Sequence, residues 1–319
     1  MPGEFELIDR VFRRAGRPLR QTALGIGDDA ALIRPAPGME LAISTDLLVS
    51  GTHFLADTDP ADLGWKTLAV NLSDLAAMGA EPRWATLGIA VPPGLTFDWI
   101  EAFAAGFFEC ADRFGVDLVG GDTTRGPCTL AVTIVGDVPA GQALRRDGAR
   151  VGDTVWVSGT PGRAALGLAC LQGKCSLPEA QRADCIAALQ RPQPRVALGL
   201  ALRGIAHAAI DVSDGMLGDL GHILNASGVG AELQLPADGP VLPGPVFDRD
   251  AFLAGGDDYE LLFTAPASAD THIRALGDRL DLPLTPLGRL VAAPAGQLTV
   301  RDAAGVDITP ARRGYDHFA

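Results

Sequence analysis

No stretch of this sequence approaches the roughly 20 consecutive apolar residues that a bilayer-spanning helix requires, so a membrane-embedded protein is not expected. Basic charge is also scarce: 26 Lys and Arg stand against 39 Asp and Glu, a formal net charge of −13. That balance argues against nucleic acid or an anionic membrane surface as a partner. It does not argue against nucleotides, because bound cations reverse the local sign of a site. Cysteines number five, an odd count, with no Cys-x-x-Cys pair among them. A disulfide framework or a soft-metal site is therefore not expected, and reduced thiols in the cytoplasm are. The amino-terminal MPGEFELIDRVF carries acids early and lacks a long apolar core, unlike a secretory signal.

What is present is a large apolar fraction, 47% of 319 residues, enough for a sizeable core and a length that suits two domains. Helical spacing is expected over residues 4–14, 61–78 and 96–114. In the last of these, Phe97, Ile100, Phe103, Phe107, Cys110 and Phe114 recur on one side. Thr96 can cap that helix and Gly115 can end it, and the phenylalanine stripe reads as a core-facing side. Strands are expected at 41–46, with Asp46 at the carboxyl end, and at 84–91, 116–119 and 129–135. Gly, Pro and Arg crowd residues 136–152 and break the pattern, which places a domain boundary there. The division is a first domain over 1–138, a linker over 139–152 and a second domain over 153–319. The second half alternates again, with strands at 154–158, 208–212, 231–235 and 260–264 and helices at 162–172, 195–203, 217–225 and 269–279. The expected class is α/β, two domains of mixed sheets with helices packed on them.

Six short segments carry aspartate beside glycine, serine or threonine, most of them after an apolar run: GIGDDAA, AISTDLL, NLSDLAAMGA, LVGGDTT, AIDVSDG and GGDDYELL. Two like charges about 4 Å apart repel by on the order of 4 kcal/mol at an effective dielectric near 20. If these segments share a site, divalent cations must hold them. Hard oxygen ligands suit Mg²⁺, which keeps positions for substrate phosphates. Asn71 and Asp74 are three apart and fall on one side of their helix. Two other motifs carry less. GIGDDA fits a dinucleotide loop only loosely, since Asp28 and Asp29 would repel a pyrophosphate. GLACLQGKC has one residue too many for a Walker loop and Cys where Ser or Thr would touch Mg²⁺, and it reads as a helix and its end.

Taken together, GIGDDAAL, AISTDLLVSGTHF, KTLAVNLSDLAAMGAEP, GGDTTRG, AIDVSDG, GGDDYEL and GYDHF resemble the thiamine-monophosphate kinase family, in order from about Glu4 to Phe318. The resemblance implies a two-domain fold of the aminoimidazole ribonucleotide synthetase kind. It also implies a homodimer joined through the amino-terminal domains, with ATP and several Mg²⁺ ions in a cleft. The implied reaction is phosphorylation of thiamine monophosphate by ATP to thiamine diphosphate. Carried over by motif, Asp29, Ser44, Thr45, Asp46, Asp74, Asp122, Asp211 and Asp214 would be metal ligands, with Asp46, Asp122 and Asp211 catalytic. Gly121, Asp122, Arg146 and Ser213 would touch ATP, and His53, Asp257 and Tyr315 the thiamine phosphate. The family commonly has Glu where this chain has Asp257, a side chain one methylene shorter.

A phosphate monoester is largely deprotonated at neutral pH, so the acceptor needs no strong base. Positioning and charge neutralisation would supply catalysis. Two other readings compete. A sibling ATP-dependent synthetase of the selenide-activating or hydrogenase-maturing kind would be expected to carry a reactive cysteine in an amino-terminal loop or at the carboxyl terminus, whereas the first cysteine is Cys110 and the chain ends YDHFA; a purine-pathway sibling stays open, since one fold hosts several chemistries. A non-enzymatic cation-binding module would be expected to show EF-hand spacing, and the acidic loops do not have it.

Overall fold

A computed structural model of the chain describes residues 4–13, 22–235 and 248–315. The fold divides into two compact units, one of residues 1–75 and 80–141, the other of residues 76–79 and 142–319.

The first unit opens with α1 (Glu4–Leu7), which passes into a π-helical turn, Ile8–Phe12, where a single regular helix is expected from the sequence. A small antiparallel pair follows, β1 (Thr22–Leu24) and β2 (Leu32–Ile33). The body of the unit is β3 (Met39–Val49), α2 (Pro60–Ala77), β4 (Glu81–Val91), α3 (Phe97–Phe114), β5 (Asp117–Arg125) and β6 (Thr129–Pro139). The sheet runs β3-β6-β4-β5, antiparallel except for the β4–β5 pair. Burial alternates along β4 and β6, as one covered face requires. Leu68, Leu72 and Leu75 of α2 and Ile100, Phe103 and Phe107 of α3 are all essentially inaccessible. The Thr96 side chain accepts a hydrogen bond from the Trp99 N–H, and Gly115 ends α3 in the left-handed conformation, φ 73°, so sequence and structure agree closely on this helix.

All four strands of this sheet run further than the sequence suggests: β4 begins at Glu81 and β6 continues to Pro139. β3 continues to Val49, so Asp46 lies inside the strand and not at its carboxyl end. β5 continues through the Gly-Gly-Asp-Thr-Thr motif to Arg125, because parallel pairing with β4 carries the glycines that local propensity reads as a loop. Gly121 is needed there: a Cβ would stand 2.0 Å from the Leu87 carbonyl oxygen on β4.

The second unit holds β7 (Thr154–Ser158), α4 (Arg163–Leu171), α5 (Glu179–Gln190), α6 (Val196–Leu202), β8 (Ala208–Val212), α7 (Met216–Ser227), β9 (Gly230–Gln234), α8 (Arg249–Ala254), β10 (Glu260–Ala265), α9 (Asp270–Leu280), β11 (Leu284–Val291) and β12 (Leu298–Arg301). Its six-stranded sheet runs β12-β9-β11-β7-β10-β8; only β12–β9 is parallel. Every residue of β7, β8 and β10 is buried, the polar Thr154, Ser158, Asp211, Glu260 and Thr264 among them. Ile210 and Val212 on β8 join Leu217, Leu220, Ile223 and Leu224 of α7 in the core. Glu260 is buried in this unit at 3% exposure and is held by Arg195, with Nε 2.6 Å from Oε2 and Nη2 2.5 Å from Oε1, and by the Ser158 hydroxyl at 2.6 Å. No disulfide joins the five cysteines.

Candidate active site

In the first unit the expected site residues fall into two groups. Asp29, Gly121 and Asp122 line a cavity of about 550 Å³, together with Asp28, Phe12 and Leu118. Asp28 shapes its own turn, its Oδ1 accepting from the Asp29 N–H at 2.9 Å.

The second group sits on β3. Ser44 and Asp46 share one face of the strand, as period-two alternation dictates. The Ser44 hydroxyl donates to Asp74 Oδ2 at 2.5 Å, and Asn71 Oδ1 accepts from the Asp46 N–H at 3.0 Å. Asn71 and Asp74 therefore both reach β3 from one side of α2, as their spacing implies. Burial, then the neighbouring Asp74 charge, push the Asp46 carboxyl up to about 7. Thr45 is not brought to this group. It points to the opposite face, where its hydroxyl lies 2.8 Å from that of Thr133. His53 closes the turn after β3: its Nδ1 accepts from the Val49 N–H at 3.0 Å, which leaves the proton of the neutral ring on Nε2.

The two groups share a row of the sheet. Asp46 pairs with Val132, Val132 with Leu87, and Leu87 with Gly121. Three strand spacings separate the ends of that row by about 14 Å. Among the described residues no three His, Cys, Asp or Glu side chains gather closely enough to hold one ion. Mg²⁺ needs no such cage, since one or two carboxylates plus phosphate oxygens are its common set. The Ser44–Asp46–Asp74 patch fits that requirement: two carboxyl groups close enough to perturb one another, and a hydroxyl oxygen between the strand and the helix.

In the second unit three motifs from distant parts of the chain meet on one loop. Asp211 lies near the end of β8, buried at 5% exposure, and residues 213–215 lead into α7. The Ser213 carbonyl accepts from the Asp257 N–H at 2.8 Å, the Val212 carbonyl from the Tyr259 N–H at 2.8 Å, and the Asp214 carbonyl from the Tyr315 N–H at 2.8 Å. Asp211, Ser213, Asp214, Asp257 and Tyr315 are thus brought to one place by backbone bonds. Asp316, His317 and Phe318 lie outside the described residues. Arg146 is exposed, and its carbonyl accepts from the Ser227 hydroxyl at 2.8 Å. Its neighbour Arg145 is engaged by Asp147, with Nη2 2.6 Å from Oδ2.

The Gly-Gly-Asp-Asp-Tyr-Glu motif divides its work in a way the sequence does not announce. Asp257 and Tyr259 both adopt positive φ, 69° and 52°, a conformation that costs free energy for residues with a Cβ and concentrates at functional sites. The Tyr259 hydroxyl donates to Asp257 Oδ1 at 3.0 Å and so orients the carboxylate expected to meet substrate. Asp258 turns inward to the start of α4 and accepts from the Gly162 and Ala164 N–H groups at 2.6 and 3.2 Å. Burial pushes its carboxyl up to about 8 against the pull of those two donors. Sequence reasoning also misses Asp219, whose Oδ2 accepts from three consecutive backbone N–H groups, those of Ser213, Asp214 and Gly215. The available signal is an acid four residues after Gly215, in the first turn of a helix that starts from a glycine.

Comparison with known proteins agrees with this division. The amino-terminal domain of AIR synthase related proteins matches residues 27–138, and the carboxyl-terminal domain of the same family matches residues 150–301. Thiamine-monophosphate kinase of Salmonella typhimurium is 46% identical over 99% of this chain and 98% of its own. The crystal structure of thiamine-monophosphate kinase from Stenotrophomonas maltophilia superposes with a TM-score of 0.81 at 47% identity, over 93% of this chain and 94% of its own. A solved structure described as AaThiL complexed with AMPPCP and TMP matches with a TM-score of 0.75 at 29% identity, over 98% of this chain and 96% of its own. Likeness of this extent, running through both units, makes the chain a member of the thiamine-monophosphate kinase family.

Proposed function

We propose that this protein transfers the γ-phosphate of ATP directly to thiamine monophosphate, giving ADP and thiamine diphosphate. The observation that carries the reading is the meeting of the Asp-Val-Ser-Asp-Gly, Gly-Gly-Asp-Asp-Tyr and Gly-Tyr motifs on the loop of residues 213–215, in a chain of this family. A relative held with AMPPCP and TMP supports the same pair of substrates.

The acceptor phosphate is already largely deprotonated at neutral pH. The residues' task is then to orient two anionic substrates in line and exclude competing charge. Asp29, Asp46, Asp74, Asp122, Asp211 and Asp214, with Ser44, would hold several Mg²⁺ ions; the Thr45 hydroxyl, on the opposite face of β3, is left out of that set. Bound magnesium supplies neutralisation of the phosphate charge. Asp46, Asp122 and Asp211 are the carboxylates assigned to the reacting phosphates. Gly121 lets the β5 backbone approach its neighbour without a Cβ, and Gly121, Asp122, Ser213 and Arg146 would receive ATP. His53, through its Nε2 proton, Tyr315 and Asp257 would each meet the thiamine phosphate, and the Tyr259 hydroxyl orients Asp257. The shorter Asp257 makes that orientation matter more, because it has less reach to spare.

The division into a metal- and ATP-binding domain over 1–138, a linker over 139–152 and a closing domain over 153–319 belongs to the same proposal. So does a homodimer. The outer face of β3 exposes Leu41, Ile43 and Leu47 at 38, 64 and 52%, an apolar row on an edge strand that a second copy would cover. No described helix is long and apolar enough to cross a membrane, and we place the enzyme in the cytoplasm without nucleic-acid or membrane partners. Purified protein with Mg²⁺ and ATP should release ADP only when thiamine monophosphate is added. Equal ADP release without the acceptor would refute the reading.

A further inference from the structure

The loop of residues 213–215 carries the side chains with most to do in the second unit, and a single carboxylate grips three of its backbone N–H groups. Asp219 sits in the first turn of α7, at 3% exposure. Its Oδ2 accepts from the N–H groups of Ser213 at 3.1 Å, Asp214 at 3.2 Å and Gly215 at 3.1 Å. Successive backbone N–H groups aimed at one point form a concavity that binds anions. Here the anion comes from the chain itself. From the outside the loop is hemmed in by the end of α8: Gly215 has φ 129°, and a Cβ on it would stand 2.9 Å from the Ala254 carbonyl. The Ser213 and Asp214 carbonyls are taken by the N–H groups of Asp257 and Tyr315. Asp219 is thus the internal anchor of a loop whose other supports come from the two remaining motifs.

A carboxylate at this position has two consequences. It holds Asp211, Ser213 and Asp214 in one arrangement, because the backbone between them cannot turn without giving up three hydrogen bonds to one buried carboxyl oxygen. It also fills a concavity that a phosphate would otherwise occupy, so that an incoming phosphate meets the side chains of the loop and not its amides.

We propose that Asp219 is a positioning residue for phosphoryl transfer: it occupies the amide nest of residues 213–215 and fixes the backbone that presents Asp211, Ser213 and Asp214 to the substrates. The inference rests on the kinase reading above.

The test pairs amide hydrogen exchange with steady-state kinetics on the full-length protein. In Asp219→Ala the amides of Ser213, Asp214 and Gly215 should exchange at least about 10-fold faster, the equivalent of one lost hydrogen bond. The kcat should fall on the order of 100-fold, the effect of misplacing catalytic groups by about 1 Å. Asp219→Asn retains an acceptor oxygen and should keep kcat within about 10-fold of the parent, since neutral hydrogen bonds are about half as strong as charge-assisted ones. Sodium formate, a small anion that fits the vacated nest, should restore part of the lost rate in Asp219→Ala and none in the parent. Unchanged exchange at the three amides, or an unchanged kcat, in Asp219→Ala would overturn the inference, as would Asn rescuing no better than Ala. Should Asp219→Ala fail to fold, Asp219→Glu takes its place. It keeps the charge but displaces the oxygen by a methylene, so kcat should fall, and a parental kcat would overturn the proposal. Exchange needs no substrate. A parent protein with no kinase activity would therefore sink the functional reading, whereas normal kinase activity with slow amides in Asp219→Ala would sink this inference alone.

Discussion

Replacing Asp46 by asparagine separates the charge that the chemistry needs from the cost of holding it. Burial first, and the Asp74 charge second, raise the Asp46 carboxyl from 3.8 to about 7. Below pH 3.8 the group is protonated in folded and unfolded chains alike and makes no difference to stability. Between pH 3.8 and about 7 the unfolded chain gives up its proton first, so the folded state binds more protons and stability falls as pH rises. At about 1.36 kcal/mol per pKa unit the ceiling on that loss is about 4 kcal/mol. Solvent at a half-buried group brings the expected loss to about 2 kcal/mol. An asparagine side chain at this position carries no charge at any pH, and the backbone bond from residue 46 to Asn71 survives the change. Melting in EDTA should therefore show parent and Asp46→Asn alike near pH 4. At pH 8 the variant should melt higher by about 4–8 °C, taking roughly 2–4 °C per kcal/mol for a chain of this size. Groups elsewhere titrate in both proteins and cancel from the difference. The same variant should lose most of its kinase activity, so the substitution that stabilises the protein disables it. A melting difference that does not change between pH 4 and pH 8, or a variant less stable at pH 8, would refute the reasoning.

Three further outcomes follow from the second unit. Asp211→Asn should lower kcat by at least about 100-fold at saturating Mg²⁺, the loss of one preorganised electrostatic contact; a change under about threefold in steady-state kinetics would remove Asp211 from the site. Tyr259→Phe deletes the hydroxyl that orients Asp257 and should raise KM for thiamine monophosphate by about 10-fold, the value of one hydrogen bond to a charged group, with KM for ATP unchanged. Arg195→Ala leaves the buried Glu260 without its bidentate partner and should destabilise the protein by about 3–5 kcal/mol in urea titrations.

Elements whose evidence is local are legible in the sequence. The α3 helix can be placed almost to the residue because its cap, apolar stripe and terminal glycine all lie within or beside it, and β7 and β8 match the expected bounds because each carries a short cluster of apolar, β-prone residues. The π-helical turn of residues 8–12 stays hidden, since its apolar spacing looks like that of an ordinary helix. The α5 helix escapes notice because its exposed, mixed composition gives no stripe, and β11 and β12 do so because Pro286 and a short length mask their pattern. For the site, the motifs name the right neighbourhood. Spacing on α2 foresees that Asn71 and Asp74 share one side of the helix, and the fold turns that side to β3. It cannot foresee that Thr45 faces away from Ser44 and Asp46, because that depends on the length of β3 and its pairing with β6. Nor can it foresee Asp219, Asp258 and Tyr259, whose roles are contacts with backbone groups or, for Tyr259, with the Asp257 carboxylate, and exist only once the loop is folded.

Direct transfer means that the ATP γ-phosphate passes intact to thiamine monophosphate, and following that phosphorus tests it most directly. With ATP labelled in the γ-phosphate, Mg²⁺ and thiamine monophosphate, the label should enter the terminal phosphate of thiamine diphosphate, in step with ADP and without inorganic phosphate. Label recovered as inorganic phosphate, with no thiamine diphosphate formed, would contradict the account.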